Sequence, residues 1–320
     1  MKIKPIILIS GEPNSVFFEI FFKAINLKKY KSPLILICCK KILLAQMKKN
    51  KFNKKLNILE LNKFKEYDLS NDSLNLINVE CQKLNKNFTT KLTNQYLDNS
   101  FKLGLRLIKK NFSNKLINGP INKKSFLNKK FLGITEYISK MYKSNRTAML
   151  IYNKDLSVCP VTTHLPIKLV AKHVTKKLIE EKINIIDTFF KRNLNYKPKI
   201  AVTGMNPHCE SILKFNEDDE IVAKAVIAQK KRGIYVSGPY SSDTIFLKKN
   251  RDRFDVILGM YHDQVLGPIK TLYEFDAINI TMGLPFLRVT PDHGPNEKML
   301  GKNISNPVSL INALNFLDKH

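Results

Sequence analysis

The chain has 320 residues, 43% of them hydrophobic, and a formal net charge of +27. That length accommodates two ordinary domains or one large α/β unit with a deep cleft, and no run approaches the roughly 18 consecutive apolar residues of a membrane helix. The charge admits a nucleic-acid partner, but the lysines are spread along the whole chain beside Asn and Ile with no dominant basic arm. We therefore expect a solvated basic surface that attracts small anions, with neither nucleic acid nor membrane as partner.

The opening MKIKPIILIS has the basic start and apolar stretch of a signal peptide. It is short, however, and runs into Gly11-Glu12-Pro13-Asn14 rather than a small-residue cleavage site. It reads as the first buried strand of a cytoplasmic protein. Further short β-branched runs follow at Pro33–Cys39, Lys115–Asn118, Ala148–Tyr152, Leu156–Thr162, Lys199–Thr203, Ile234–Ser237, Asp255–Met260 and Ala277–Thr281, after a first strand at Pro5–Ser10. Between them the spacing predicts helices over Leu92–Lys109, Lys176–Lys191 and Glu217–Arg232. The last has Asn216 as cap, acids in its first turn, bases in its last, and Gly233 as its stop. Strands alternating with helices specify an α/β fold with a mainly parallel sheet covered on both faces. The five cysteines lack any C-x-x-C pair, so they read as core thiols with neither a disulfide framework nor a structural zinc site.

The polar turns follow strand ends: GEP, GPINK, TTHLP, GMNPH, GPYSSD and YHDQ. In parallel α/β sheets that edge is where ligands bind. Three of the six histidines, His164, His208 and His262, lie one to five residues past a strand there. Neutral imidazoles suit a zinc, cobalt, nickel or iron ion, and three protein ligands leave positions open for substrate. Their intervals match no local metal motif, so spacing alone leaves both a shared ion and hydrogen-bonded loop histidines open. His173 reads as structural, and His293 as a secondary site residue. Lys123, Thr135, Lys270, Asn279 and Arg288 are candidate partners for an anionic substrate. Neither G-x-G-x-x-G nor a P-loop occurs, so the cofactor-binding residues are not assigned.

The ordered series GPINK, GxTE, TTHLP, GMNPH, GPYSSDTIF, MYHDQ, INITMGLPFLR and DHG resembles the 4-hydroxythreonine-4-phosphate dehydrogenase family from near residue 9 to residue 294. The resemblance implies two α/β domains around a cleft, as in the isocitrate and isopropylmalate dehydrogenases, here placed at 1–133 plus 283–320 and at 134–282. It implies a homodimer with the active site shared across the interface. The implied reaction oxidises 4-phosphooxy-L-threonine with NAD or NADP, after which the β-keto acid loses carbon dioxide to give 3-amino-2-oxopropyl phosphate for pyridoxal phosphate synthesis. Carried over by motif, His164, His208 and His262 are ligands of one divalent metal ion (zinc, cobalt or magnesium). Thr135, Lys270, Asn279 and Arg288 are substrate-binding residues, and Asp243 and Asp263 are candidates for the catalytic base.

Three departures from the family pattern stand out. Its GHTE reads Gly133-Ile134-Thr135-Glu136, which removes a hydrogen-bond donor at 134. The glycine-rich stretch after NPH reads Cys209-Glu210-Ser211-Ile212-Leu213, and the first loop, usually like DPAGIGPE, runs from Glu12 to Glu19. Ile134 raises a sister reading, a decarboxylating dehydrogenase for another phosphorylated hydroxy acid such as a threonate or erythronate phosphate. Readings from other classes are a non-enzymatic nucleic-acid binder and a metal-binding relic without turnover.

Overall fold

The computed structural model describes residues 3–81, 90–122, 126, 131, 133–142, 144, 146–291 and 297–320. The chain divides into two compact units, one formed by Met1–Ile134 with Pro285–His320 and the other by Thr135–Leu284. Both are α/β. Among the described residues no helix is long and apolar enough to cross a membrane.

In the first unit the strands are β1 (Ile6–Ile9), β2 (Leu34–Cys38), β3 (Leu56–Ile58), β4 (Leu74–Asn78), β5 (Lys115–Asn118) and β12 (Leu287–Pro291), in the order β3-β4-β2-β1-β5-β12. All the registered pairs are parallel. β1, β2 and β5 are buried along their whole length, as strands covered on both faces should be. Helices α1 (Phe17–Leu27), α2 (Lys40–Lys49), α3 (Thr90–Lys109) and the C-terminal Val308–Lys319 supply the cover. The Phe17–Leu27 stretch buries Phe17, Phe18, Phe21 and Phe22, so much of what reads as a divergent first loop is core-facing helix.

The second unit holds β6 (Ala148–Tyr152), β7 (Ser157–Thr162), β8 (Ile200–Thr203), β9 (Val236–Tyr240), β10 (Val256–Tyr261) and β11 (Ile278–Met282), in the order β11-β6-β7-β10-β8-β9. β11–β6 and β6–β7 are antiparallel; β7, β10, β8 and β9 run parallel. Its helices are α4 (Ile134–Met141), α5 (Lys176–Phe189), α6 (Lys224–Lys231) and α7 (His262–Tyr273), and the helix Val308–Lys319 is therefore α8. Thr175 caps α5 through its side chain. A π-helical turn at Phe190–Leu194 prolongs α5 until Asn195 adopts a left-handed conformation. A second π-helical turn, Asp218–Ala223, opens the segment expected as one helix over Glu217–Arg232.

The cysteine expectation needs one correction. Cys39 and Cys81 form a disulfide, whereas Cys38 and Cys159 are buried free thiols. β2 and β4 are parallel neighbours with Cys38 opposite Asn78, so the residues just past their ends come together. The 42-residue separation hides this pairing from a local reading of the sequence.

Candidate active site at the strand ends of the second unit

Thr135, His164, His208, Asp243, Asp263, His262, Lys270 and Asn279 all belong to the second unit, and Arg288 to the first. His164 follows β7, His208 lies in a short turn after β8, Asp243 follows β9, and His262 opens α7 at the end of β10. Because β7, β10 and β8 are adjacent parallel strands, one sheet edge carries all three histidines.

The rings of His164 and His262 lie 6.0 Å apart, tilted by 37°. Two imidazoles sharing an ion at about 2.1 Å place their ring centres about 5–6 Å apart, so this pair fits a shared cation. His208 is not drawn into the pair. Its side chain is 70% exposed and its Nδ1 lies 3.8 Å from Asp243 Oδ2. Among the described residues no set of three His, Cys, Asp or Glu side chains is gathered closely enough to hold a metal.

Each acid proposed as a base stands beside a histidine. Asp263 Oδ1 is 2.6 Å from His262 Nδ1. An Nδ1–H donated to that carboxylate leaves Nε2 free to act as a metal ligand, the usual arrangement of a carboxylate behind a ligating imidazole. Asp243 accepts a hydrogen bond from Ser241 Oγ at 2.5 Å. That bond, with the nearby His208, holds the Asp243 carboxyl below the usual carboxylate range.

Among the substrate candidates, Thr135 sits in the first turn of α4, its Oγ1 3.5 Å from Thr281 Oγ1 on β11. Asn279 and Thr281 are two residues apart on that strand and share a face. Lys270 lies two turns beyond His262 on α7, and burial pushes its pKa down, because desolvation disfavours the charged ammonium. Arg288 is 2% exposed, and its Nε donates to Asn118 Oδ1 at 3.0 Å. Lys123 and His293 lie outside the described residues. His173 lies at an exposed position, its Nδ1 donating to Leu169 O at 2.8 Å.

Two residues escape the sequence reading. Asp218, taken for a helix-start acid, is fully buried and accepts from the backbone N–H of Met205 at 2.6 Å and of Asn206 at 3.0 Å. Gln264, two residues after His262, is buried and bonded to both β8 and β10. Gly204 makes room for this network: a Cβ there would stand 2.8 Å from Asp218 Oδ1.

Comparison with known proteins fits this layout. Residues 30–317 match the family model described as "Pyridoxal phosphate biosynthetic protein PdxA". A 4-hydroxythreonine-4-phosphate dehydrogenase from Sulfurihydrogenibium sp. is 36% identical over 313 residues, which cover 95% of this chain and 94% of that protein. A crystal structure of 4-hydroxythreonine-4-phosphate dehydrogenase from Klebsiella pneumoniae superposes with a TM-score of 0.83 at 26% identity, covering 98% of both chains. A β-decarboxylating dehydrogenase from Thermococcus kodakarensis, 11% identical with a TM-score of 0.52, covers 98% of this chain and 82% of its own, and shares the fold. With a family match over most of its length and strand-end turns carrying the family's motifs, the chain belongs to the PdxA family of pyridoxal phosphate biosynthetic proteins.

Proposed function

We propose that this chain is a cytoplasmic 4-hydroxythreonine-4-phosphate dehydrogenase. It oxidises 4-phosphooxy-L-threonine with NAD or NADP and releases carbon dioxide and 3-amino-2-oxopropyl phosphate. One observation carries the reading: a dehydrogenase of that name matches 95% of the chain at 36% identity. The fit of His164 and His262 to a shared cation supports a divalent metal held by His164, His208 and His262. Since one chain gathers only two of the three, we propose that association into a homodimer completes the site.

In this reading Asp263 accepts from His262 Nδ1 and orients the ring for ligation through Nε2. Asp243 stands beside His208, held by Ser241 Oγ, and is the second candidate to accept a proton from solvent or substrate. Lys270, half-buried on α7, offers an ammonium to an anionic substrate group. Thr135 and Asn279 offer a hydroxyl and an amide for orientation, and Arg288 a rigid fork for phosphate or carboxylate. The divalent ion, when bound, supplies Lewis-acid stabilisation of negative charge developing on the substrate oxygen.

The test is cofactor reduction with 4-phosphooxy-L-threonine, with and without chelator, in the wild type and in His208→Ala. Reduction that is abolished by chelator and by His208→Ala is the expected result; chelator-insensitive turnover sinks the metal assignment. Ile134, which opens α4 next to Thr135, favours a second reading with a different phosphorylated hydroxy acid as substrate. Turnover of threonate or erythronate phosphate with none of 4-phosphooxy-L-threonine would select it.

A further inference from the structure

The registered ladder between β8 and β10 ends at Val202 opposite Leu258. Just past that point the Gln264 side chain takes over. Its Nε2 donates to Gly204 O at 2.7 Å, and its Oε1 accepts from Met260 N at 2.7 Å and from Thr203 Oγ1 at 2.9 Å. A backbone N–H can only donate and a carbonyl can only accept, so these partners fix the orientation of the amide. The residue is 8% exposed and enters the sheet from the first turn of α7, two positions after His262. Gly259 makes way for it, since a Cβ there would lie 3.1 Å from Oε1.

The same junction reaches the third histidine-bearing loop. Thr162 Oγ1, at the end of β7 and two residues before His164, donates to Met260 O at 2.8 Å. The Met260 peptide unit is thus held by Gln264 at its N–H, while the residue's carbonyl is held by Thr162. On the β8 side, Gly204 N donates to Tyr240 O at 2.8 Å, and Asp218 takes the next two amides, Met205 and Asn206. The backbone from 204 to 206 is therefore pinned on both flanks just before His208.

We infer that Gln264 is a positioning residue that locks the loop bearing His208 to the strand end bearing His262. The inference rests on the proposed metal reading for its purpose, but its geometry stands independently. A buried amide that satisfies three partners on two strands loses all of them together when replaced by an apolar side chain, leaving Gly204 O and Met260 N without their partner. Direct partners of metal ligands change metal affinity by roughly 10–100-fold, and Gln264, which holds the backbone of two ligand-bearing segments rather than a ligand ring, belongs at the lower end of that range.

The experiment uses the full chain as Gln264→Leu and as the milder Thr203→Val, which removes one bond at nearly constant volume. Hydrogen–deuterium exchange across residues 204–209 is followed in metal-free protein, and zinc affinity is measured by competition with a chromogenic chelator. The expected result is at least about tenfold faster exchange at 204–209 in Gln264→Leu, with α5 unaffected, and zinc binding weakened by roughly tenfold. kcat should recover as zinc is raised to saturation, and Thr203→Val should shift every readout less, in the same direction. Exchange at 204–209 unchanged in both folded variants overturns the inference, and if Gln264→Leu does not fold, Thr203→Val decides alone. Zinc bound as tightly by Gln264→Leu as by the wild type also overturns it, while leaving the metal reading intact. Loosened exchange in the variants, together with a wild type that takes up no zinc, has the opposite meaning: the lock stands and the metal reading falls.

Discussion

Replacing Asp263 by Asn separates the base role expected from the sequence from the orienting role that its contact with His262 suggests. Its Oδ1 lies 2.6 Å from His262 Nδ1, yet the side chain is 88% exposed. A hydrogen bond to a charged group contributes about 1.5–3 kcal/mol, but exposed charge pairs are screened to about 1 kcal/mol or less. Asn keeps an acceptor and removes the charge, so the loss is at most about 1 kcal/mol, or about fivefold. If Asp263 only orients His262, Asp263→Asn weakens zinc binding by up to about fivefold, and kcat at saturating zinc stays within about twofold of wild type. A lost general base costs about 10²–10⁴-fold in rate whatever the metal concentration. Competition titration of zinc and initial rates of cofactor reduction at saturating metal distinguish the two. A hundredfold fall in kcat with zinc affinity intact would refute the orienting role.

Three further outcomes concern stability. Closing the 42-residue loop between Cys39 and Cys81 corresponds to about 4 kcal/mol of chain entropy; Cys39→Ser or Cys81→Ser should lower the urea midpoint accordingly, and reductant should have no further effect on either variant. Gly204→Ala forces a Cβ to within 2.8 Å of Asp218 Oδ1 and should cost about 1–3 kcal/mol in urea unfolding. At Glu19 burial opposes the charge, but the Lys23 ammonium and the Ser305 amide outweigh it and hold the carboxyl below its ordinary 4.5. A depressed carboxylate stabilises the fold above the unfolded value, and that contribution is lost as pH falls through the folded one. Glu19→Gln should therefore flatten the stability curve below roughly pH 4.5, and a steep acid limb surviving in the variant would count against the pairing.

The sheet was legible where a short run is rich in apolar and β-branched residues: β5 and β6 keep the expected bounds, and β1, β2, β7, β8, β10 and β11 differ by a residue or so at their ends. The strands that escape notice are short or carry a residue that draws another reading. β4 contains Asn75, which reads as a loop residue but is buried because its amide donates to Leu34 O and Ser70 O. β12 contains Arg288, which draws attention as a substrate ligand rather than as a sheet residue. β3 is three residues long and partly exposed. In the site, the histidines can be read because each follows an apolar strand. Gln264 and Asp218 cannot, because a buried, fully bonded polar side chain has the same letter as a solvated one. The one available signal is local: Gln264 is enclosed between His262-Asp263 and the apolar Val265-Leu266, inside a helix start where a solvated residue would be ordinary.

The turn after β8 carries a consequence of another kind. His208 and Cys209 both adopt positive φ, 56° and 63°, where a residue with a Cβ costs about 1–2 kcal/mol relative to the right-handed region. The family pattern that this sequence resembles implies glycines after this point, and glycine would occupy such backbone freely. Cys209 instead puts its Sγ into the space above Gly204, where a Cβ on residue 204 would lie 2.5 Å from the sulfur. The two positions therefore constrain each other across five residues. A thiol at 209 is admissible only while 204 stays bare, so Cys209 entrenches a glycine that Asp218 already requires, and the order of substitution decides which sequences this loop can reach.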